Sequence, residues 1–169
     1  MISGFLLVGG AGTRMGGGKA LQLFAGRPLW SYGFELLNSF CSSVRLVGEC
    51  AELALPKLVE AQPGRGPLGA IVTALEAAQT DWSFVLALDY PLLDLVFVEA
   101  LGRPERGVAR LPRCGEQPHP LCGFYHRAAA RELPGQGSVL RALERLEVEW
   151  VDFGEDERFL NVNRPSDLR

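Results

Sequence analysis

A glycine-rich stretch near the start of the chain carries the densest set of residues suited to chemistry. Six of the ten residues from Gly9 to Gly18 are glycine, and Lys19 follows directly. Glycine adopts positive φ at little cost, so successive backbone N–H groups can turn towards one anion. Arg14 and Lys19 add a planar and a compact cation to this loop. These residue types predict a binding site for a polyphosphate.

Two familiar phosphate-binding motifs do not fit this loop. A P-loop, GxxxxGK[ST], needs glycine where Thr13 stands and Ser or Thr where Ala20 stands. A dinucleotide fingerprint, GxGxxG, needs glycine where Met15 stands. The loop therefore predicts a nucleotide site of another kind.

The elements that must position this loop alternate between strand and helix. Strands are predicted at Gly4–Val8, Val44–Val47, Ser83–Leu88, Gly107–Leu111, Leu121–Tyr125 and, as an edge strand, Val148–Phe153. Helices are predicted from Pro28 to Phe40, from Pro67 to Leu75, after a cap at Asp94, and from Ser138 to Leu146, with a turn at Asn161–Asn163 and a last helical turn after Pro165. This order favours a doubly wound α/β sheet, mostly parallel, with a mixed-direction edge. Ligands of such sheets bind at the carboxyl ends of the strands, where Gly9–Lys19 and Asp89–Pro91 fall.

Composition narrows the class of protein. With 169 residues, 47% of them apolar and 22% charged, the chain predicts a single globular domain over residues 1–169. A net charge of −3 and the lack of a basic run argue against a nucleic-acid partner. The four cysteines form no CxxC pair, and the apolar run Phe5–Val8 is too short for a signal peptide or a membrane span. We therefore expect a cytoplasmic protein with reduced thiols and no membrane partner.

Five segments resemble, in the same order, motifs of the molybdenum cofactor guanylyltransferases. Leu7–Gly16 resembles LAGGxSxRMG, continued by Lys19–Leu21 and Gly26–Leu29; Pro63–Gly69 resembles PGxGPLAG; Leu88–Leu93 resembles CDMPxL; His119–Leu121 with Tyr125 resembles HPLxxxY; and Asn161–Leu168 resembles NxNTPEDL. The motifs cover nearly the whole chain, and the GPLG segment favours the guanylyl over the cytidylyl branch.

The resemblance implies a three-layer α/β/α, Rossmann-like nucleotide-diphospho-sugar transferase fold, mostly parallel with an antiparallel strand. It implies a magnesium-dependent reaction in which GTP and molybdopterin, with or without molybdenum, give the guanine dinucleotide cofactor and pyrophosphate. GTP and molybdopterin would be the small-molecule substrates. Other proteins of molybdenum cofactor synthesis or of molybdoenzyme maturation would be the protein partners.

The resemblance also assigns residues. Arg14, Lys19 and Asp89 would be catalytic, with Asp89 as the metal ligand. The nucleotide would be bound by Val8, Gly9, Gly10, Ala11, Gly12, Lys19, Glu60, Gly66, Pro67 and Leu68. The acceptor would be bound by His119, Asn161 and Asn163. Each has a plainer alternative: a turn or cap for Asp89 and the asparagines, solvated charges for Arg14, Lys19 and Glu60, and a rigid proline-flanked loop for His119.

The chain departs from the family pattern at three places in the predicted site. Val8 stands where the family has alanine, which is a mild change. Gly18 stands where the family carries aspartate before the lysine, and Gly48-Glu49-Cys50 offers no asparagine after the second strand. Two alternatives therefore stay open. One is a nucleotidyltransferase that uses CTP or another acceptor, such as a sugar phosphate or phospholactate. The other is a relative that binds nucleotide or pterin without catalysis.

Overall fold

The apolar run near the chain start forms a central strand of the sheet. The computed structural model describes residues 1–9, 18–50, 53–59 and 64–160. Its strands are β1 (Ile2–Leu7), β2 (Leu23–Phe24), β3 (Arg27–Pro28), β4 (Ser43–Val47), β5 (Lys57–Leu58), β6 (Trp82–Ala87), β7 (Ala109–Cys114), β8 (Gln117–Pro118), β9 (Cys122–His126) and β10 (Val148–Asp152). Its α-helices are α1 (Leu29–Phe40), α2 (Gly66–Glu76), α3 (Leu95–Leu101) and α4 (Val139–Leu143), with short 3-10 helices at Lys19–Leu21, Arg127–Arg131 and Glu157–Phe159.

Within the described residues, eight strands form one mixed sheet in the order β10-β7-β9-β6-β1-β4-β5, and β8 pairs with β7. Strand β1 pairs in parallel with both β4 and β6. Strand β9 runs antiparallel to both of its neighbours, β6 and β7. The prediction of a mostly parallel sheet is confirmed. The expectation that the direction changes at an edge is wrong, because β9 lies inside the sheet and the parallel pair β7–β10 forms the edge.

Alternating side chains of the central strands build two cores, one on each face of the sheet. Leu6 of β1 and Phe84 of β6 face a core shared with α1 and α3. Phe5 of β1 and Val85 of β6 face a second core, formed with α2, the Arg127–Arg131 helix and α4. Successive side chains of a strand point to opposite faces of the sheet, and in β1 and β6 both faces carry apolar side chains. These two strands are therefore buried on both sides. The result is the three-layer α/β/α arrangement that the family resemblance implies.

Most predicted elements are present, with shifts at their ends. The predicted helix Ser138–Leu146 begins as expected, with the Ser138 hydroxyl accepting from the Arg141 amide, but it ends at Leu143 because the chain turns there to enter β10. The strand predicted from Gly107 begins at Ala109, because Gly107 has a φ of +67°. The Asp94 cap is confirmed, since its carboxylate accepts from the Phe97 amide at 2.8 Å.

The hairpin β2–β3 was not predicted from the sequence. Its two central residues, Ala25 and Gly26, have φ values of 47° and 79°, as tight hairpin turns require. It joins the Lys19–Leu21 helix to α1. Among the described helices, none is long and apolar enough to cross a membrane.

Candidate active site

Residues that were predicted to bind phosphate or metal lie where three parallel strands end. Residues Val8 and Gly9 follow β1, Gly48 follows β4, and Leu88 and Asp89 follow β6. Because β1, β4 and β6 run in parallel and in register, these residues lie side by side at one edge of the sheet. This is the edge at which doubly wound sheets bind ligands, as the sequence predicted.

Lys19 and Asp89 form an ion pair across this edge. The Lys19 ammonium Nζ donates to Asp89 Oδ1, although the two residues are 70 positions apart in the chain. The Lys19 and Asp89 side chains are 25% and 31% exposed, so water and ligands reach both. The structure therefore brings together the cation predicted to hold phosphate and the carboxylate predicted to hold metal.

The glycine-rich loop leaves β1 in close contact with the end of β4. The Val8 amide donates to the Val47 carbonyl at 2.9 Å, and the Gly9 amide approaches the same oxygen at 3.4 Å. Gly48 has a φ of +109°, and a Cβ there would lie 2.5 Å from the Gly9 nitrogen. Only glycine fits at position 48, because both its backbone conformation and the space beside Gly9 exclude a side chain.

Gly48→Ala is expected to destabilise the fold and displace Val8 and Gly9. The strained φ alone costs about 1–3 kcal/mol, and the contact with backbone adds to it. Gly26→Ala is the matched control, because Gly26 also has a positive φ but nothing lies within 4 Å of its added Cβ. Urea unfolding should show the larger loss for Gly48→Ala, and triphosphate affinity should fall only in that variant. Equal losses in the two variants would contradict the close approach.

The start of α2 borders the same edge, because the helix leads from the β5 side of the sheet back towards β6. Gly66 has a φ of +69° and Pro67 is exposed, whereas the Leu68 side chain is fully buried in the core below. Leu68 can therefore contribute only backbone to a ligand. The N-cap residue Arg65 makes no side-chain hydrogen bond to the first turn of α2, and the amides of that turn face outwards from the helix start.

His119 lies beneath the turn that carries Asp89. The residue is 3% exposed, its Nδ1 lies 3.3 Å from the Tyr90 hydroxyl, and its ring centroid lies 4.6 Å from that of Phe159. Burial lowers the pKa of His119, which favours the neutral imidazole. The predicted contact with the acceptor stays a prediction, and the contacts described give the ring an indirect link to the site through Tyr90.

Several predicted site residues lie outside the described part of the chain. They are Gly10, Ala11, Gly12, Arg14, Glu60, Asn161 and Asn163. The described chain runs up to Leu160 and is anchored just before it. Arg158 donates to Asp94 at 3.1 Å and to Asp156 at 2.7 Å, and this guanidinium lowers the pKa of the Asp156 carboxyl. The segment that leads to Asn161 is thereby held beside the start of α3, a few residues after Asp89.

Sequence reasoning missed two contributors to the site. Tyr90 was noted only as part of a motif, yet its hydroxyl reaches His119. Gly48 was noted only for the missing asparagine, yet it allows β4 to approach the loop. A glycine directly after a predicted strand is a usable signal for such a close approach, whereas no local pattern announces a hydrogen bond between residues 29 positions apart.

The side chains present suit a hard divalent cation bound together with phosphates. In residues 1–9, 18–50, 53–59 and 64–160, no group of three or more His, Cys, Asp or Glu could hold a metal. Mg²⁺ keeps several waters and commonly uses one or two carboxylates plus substrate phosphates. Asp89 is a partly exposed carboxylate that already faces a cation, so it fits this mode of binding.

Comparisons with known proteins agree with this geometry. A family profile described as MobA-like NTP transferase domain matches residues 4–150. A probable molybdenum cofactor guanylyltransferase of Chloroflexus aggregans is 30% identical over 100% of this chain and 92% of its own. A molybdenum cofactor guanylyltransferase of Cereibacter sphaeroides is 30% identical over 98% of this chain and 92% of its own.

A solved structure agrees as well. Molybdopterin-guanine dinucleotide biosynthesis protein A from Archaeoglobus fulgidus superposes with a TM-score of 0.80 at 26% identity, over 99% of this chain and 95% of that one. Family profile, full-length relatives and fold point the same way. The chain is a nucleotidyltransferase and belongs to the MobA-like NTP transferase family, among the molybdenum cofactor guanylyltransferases.

Proposed function

We propose that the chain transfers GMP from GTP to the phosphate of molybdopterin, in a magnesium-dependent reaction that also gives pyrophosphate. The observation that carries this proposal is the Lys19–Asp89 pair at the ends of β1 and β6, directly after the glycine-rich loop. A cation for phosphates and a carboxylate for metal are the parts that nucleotidyl transfer needs from a protein. The acceptor and the guanine base follow from the named activity of the full-length relatives.

The reaction forms one phosphorus–oxygen bond and breaks another. A terminal phosphate oxygen of molybdopterin attacks the α-phosphorus of GTP, and the bond from that phosphorus to the oxygen bridging to the β-phosphate breaks. Pyrophosphate leaves with the electron pair. Lys19 and Arg14 hold the β- and γ-phosphates and offset the charge that develops on the leaving group. The Gly9–Gly12 loop and the first turn of α2 supply backbone N–H groups to the triphosphate.

Asp89 would hold Mg²⁺, which, when bound, neutralises phosphate charge and orients the reacting groups. Before substrate binds, the Lys19 ammonium balances the Asp89 carboxylate. A bound triphosphate would give the Lys19 ammonium a second anionic partner. The Asp89 carboxylate would then be available to hold the metal ion. Triphosphate and metal binding should therefore support each other, because each makes the other's protein ligand available.

Recognition of base and acceptor is assigned to residues around this centre. We propose that Glu60 accepts from the N1–H and N2–H₂ groups of guanine, beside Gly66, Pro67 and the backbone of Leu68. Asn161 and Asn163 would bind the acceptor phosphate.

We place the reaction in the cytoplasm, since none of the four cysteines, all of which lie in the described part of the chain, forms a disulfide. Other proteins of cofactor synthesis or molybdoenzyme maturation would deliver molybdopterin or take up the product. Such transfer would spare the cofactor an exposed passage through water.

Calorimetric titration with GTP, CTP and ATP, with Mg²⁺ and with EDTA, tests the proposal. We expect the tightest binding for GTP, and only when Mg²⁺ is present. A preference for CTP or ATP would contradict the assignment of guanine. Binding that is unchanged by EDTA would contradict the metal role of Asp89.

A further inference from the structure

We propose that Tyr90 and His119 form a positioning pair that fixes the Asp89 carboxylate and thereby sets the affinity of the site for a metal–triphosphate complex. The pair acts without touching the ligand. The inference rests on the proposed function, because it assigns the metal to Asp89. It gives a role to the contact between a buried histidine and the tyrosine that follows Asp89.

The pair is a buried polar contact directly behind the metal ligand. The Tyr90 hydroxyl lies 3.3 Å from His119 Nδ1, and both side chains are covered by protein. A neutral imidazole carries one proton on two nitrogens, so Nδ1 accepts from the Tyr90 hydroxyl in one tautomer and donates to it in the other. Both groups are buried, so losing this contact costs more than losing one that is exposed to water.

His119 is itself held from several sides, so it offers Tyr90 a fixed point. Its amide donates to the Pro112 carbonyl at 3.0 Å, which ties it to β7. Its carbonyl accepts from the Cys122 thiol at 3.5 Å, and its ring packs against Phe159. Tyr90 also contacts Phe159, with ring centroids 6.4 Å apart.

This anchoring reaches Asp89 through the backbone. Asp89 sits between Leu88 and Tyr90, whose side chains are both buried, so the turn is fixed on either side of the carboxylate. The Leu93 amide approaches the Tyr90 carbonyl at 3.5 Å and closes the same turn. The CDMPxL motif that this stretch resembles has methionine at the position of Tyr90. The hydroxyl contact is thus an addition to the motif, and substitution can isolate it.

The experiment combines a double-mutant cycle with an isosteric rescue. Tyr90→Phe keeps the ring and removes the hydroxyl, His119→Leu removes the partner, and His119→Asn keeps a polar atom near the position of Nδ1. The readouts are the dissociation constant of the Mn²⁺–triphosphate complex, followed by Mn²⁺ spin resonance and calorimetry, and the melting temperature. Thr80→Val is the control, because its half-buried hydroxyl bonds to Ser3 and Trp82 at the opposite edge of the sheet.

We expect Tyr90→Phe and His119→Leu each to weaken Mn²⁺–triphosphate binding by about threefold to tenfold, the worth of one net hydrogen bond. The double variant should lose less than the sum of the two single losses, and His119→Asn should retain most of the affinity. Thr80→Val should lower the melting temperature and leave the affinity unchanged. Affinity unchanged in Tyr90→Phe, or additive losses in the double variant, would overturn the inference.

Measurements on the wild-type chain distinguish a failure of this inference from a failure of the proposed function. Its preference among GTP, CTP and ATP tests the function, whereas the ratio of variant to wild type, measured with whichever triphosphate binds most tightly, tests the positioning role. If the wild-type chain prefers CTP, the guanine assignment is wrong. The ratio of variant to wild-type affinity then still decides whether Tyr90 and His119 position Asp89. A wild type that binds no triphosphate overturns both.

Discussion

Asp89→Asn is expected to lower kcat/KM for GMP transfer by about a thousandfold, while the protein stays folded. Asparagine matches aspartate in shape and removes the charge that a divalent cation needs. Loss of the ion pair with Lys19 costs little stability, because the two side chains are 25% and 31% exposed and such pairs contribute about 0–1 kcal/mol. The defect should therefore appear in steady-state kinetics and not in urea unfolding.

The same variant should show a second, opposite effect in EDTA. Without metal, the wild-type carboxylate repels the triphosphate and holds the Lys19 ammonium. Asp89→Asn removes both obstacles, so metal-free GTP should bind at least as tightly as to the wild type, while the gain from Mg²⁺ disappears. A general loss of structure would weaken binding in both conditions, and calorimetry distinguishes the two results.

Asp94→Asn is the matched control for this substitution. Asp94 lies five positions along the chain and is also a carboxylate, but it caps α3 and pairs with Arg158. Asparagine caps helices about as well as aspartate, so this variant should keep near wild-type kinetics. If Asp94→Asn lost as much activity as Asp89→Asn, or if Asp89→Asn kept its response to Mg²⁺, Asp89 would not be the metal ligand.

Lys19→Met is expected to lower kcat/KM by about a hundredfold to a thousandfold, the typical effect of removing one donor that stabilises developing negative charge. Methionine keeps the length of the side chain and removes its ammonium. GTP affinity in Mg²⁺ should fall as well, because one cation on the phosphates is lost. Initial rates at several GTP concentrations separate the effect on kcat from that on KM.

Lys19→Met should also raise the affinity for Mn²⁺ in the absence of nucleotide. The variant lacks the ammonium that competes for the Asp89 carboxylate, so the metal ion should bind this carboxylate more tightly. Arg113→Met controls for the loss of one positive charge, because Arg113 lies on β7 and faces Asp152 at 3.7 Å. Arg113→Met should change neither measurement, whereas weaker Mn²⁺ binding in Lys19→Met would contradict competition between ammonium and metal.

The fold was largely predictable because its signals are local. The apolar run that became β1, the apolar face of α1 and the Asp94 cap each depend on neighbours a few residues away. The place of β9 was not predictable in this way. Its pairing with β6 and β7 depends on contacts between distant segments, so the sequence indicated an antiparallel strand without placing it inside the sheet.

The site was also predictable only in part, because some of its contacts are local and others join distant residues. Parallel strand ends must share an edge, which is why Lys19 and Asp89 could be expected near each other. Their ion pair and the link from Tyr90 to His119 arise only when the chain folds, since they join residues 70 and 29 positions apart. Burial of His119 was equally hidden, because two flanking prolines suggest a surface loop as readily as a covered one.

Transfer of label from GTP radiolabelled at its α-phosphate is the most direct test of the central claim. The wild-type chain, Mg²⁺ and molybdopterin should give a labelled guanine dinucleotide together with an equal amount of unlabelled pyrophosphate, and Asp89→Asn should give neither at a measurable rate. GTP that binds tightly and never yields labelled dinucleotide or pyrophosphate would contradict the account. Such a result would show that the chain, with Gly18 in place of the family's aspartate, binds nucleotide without catalysing transfer.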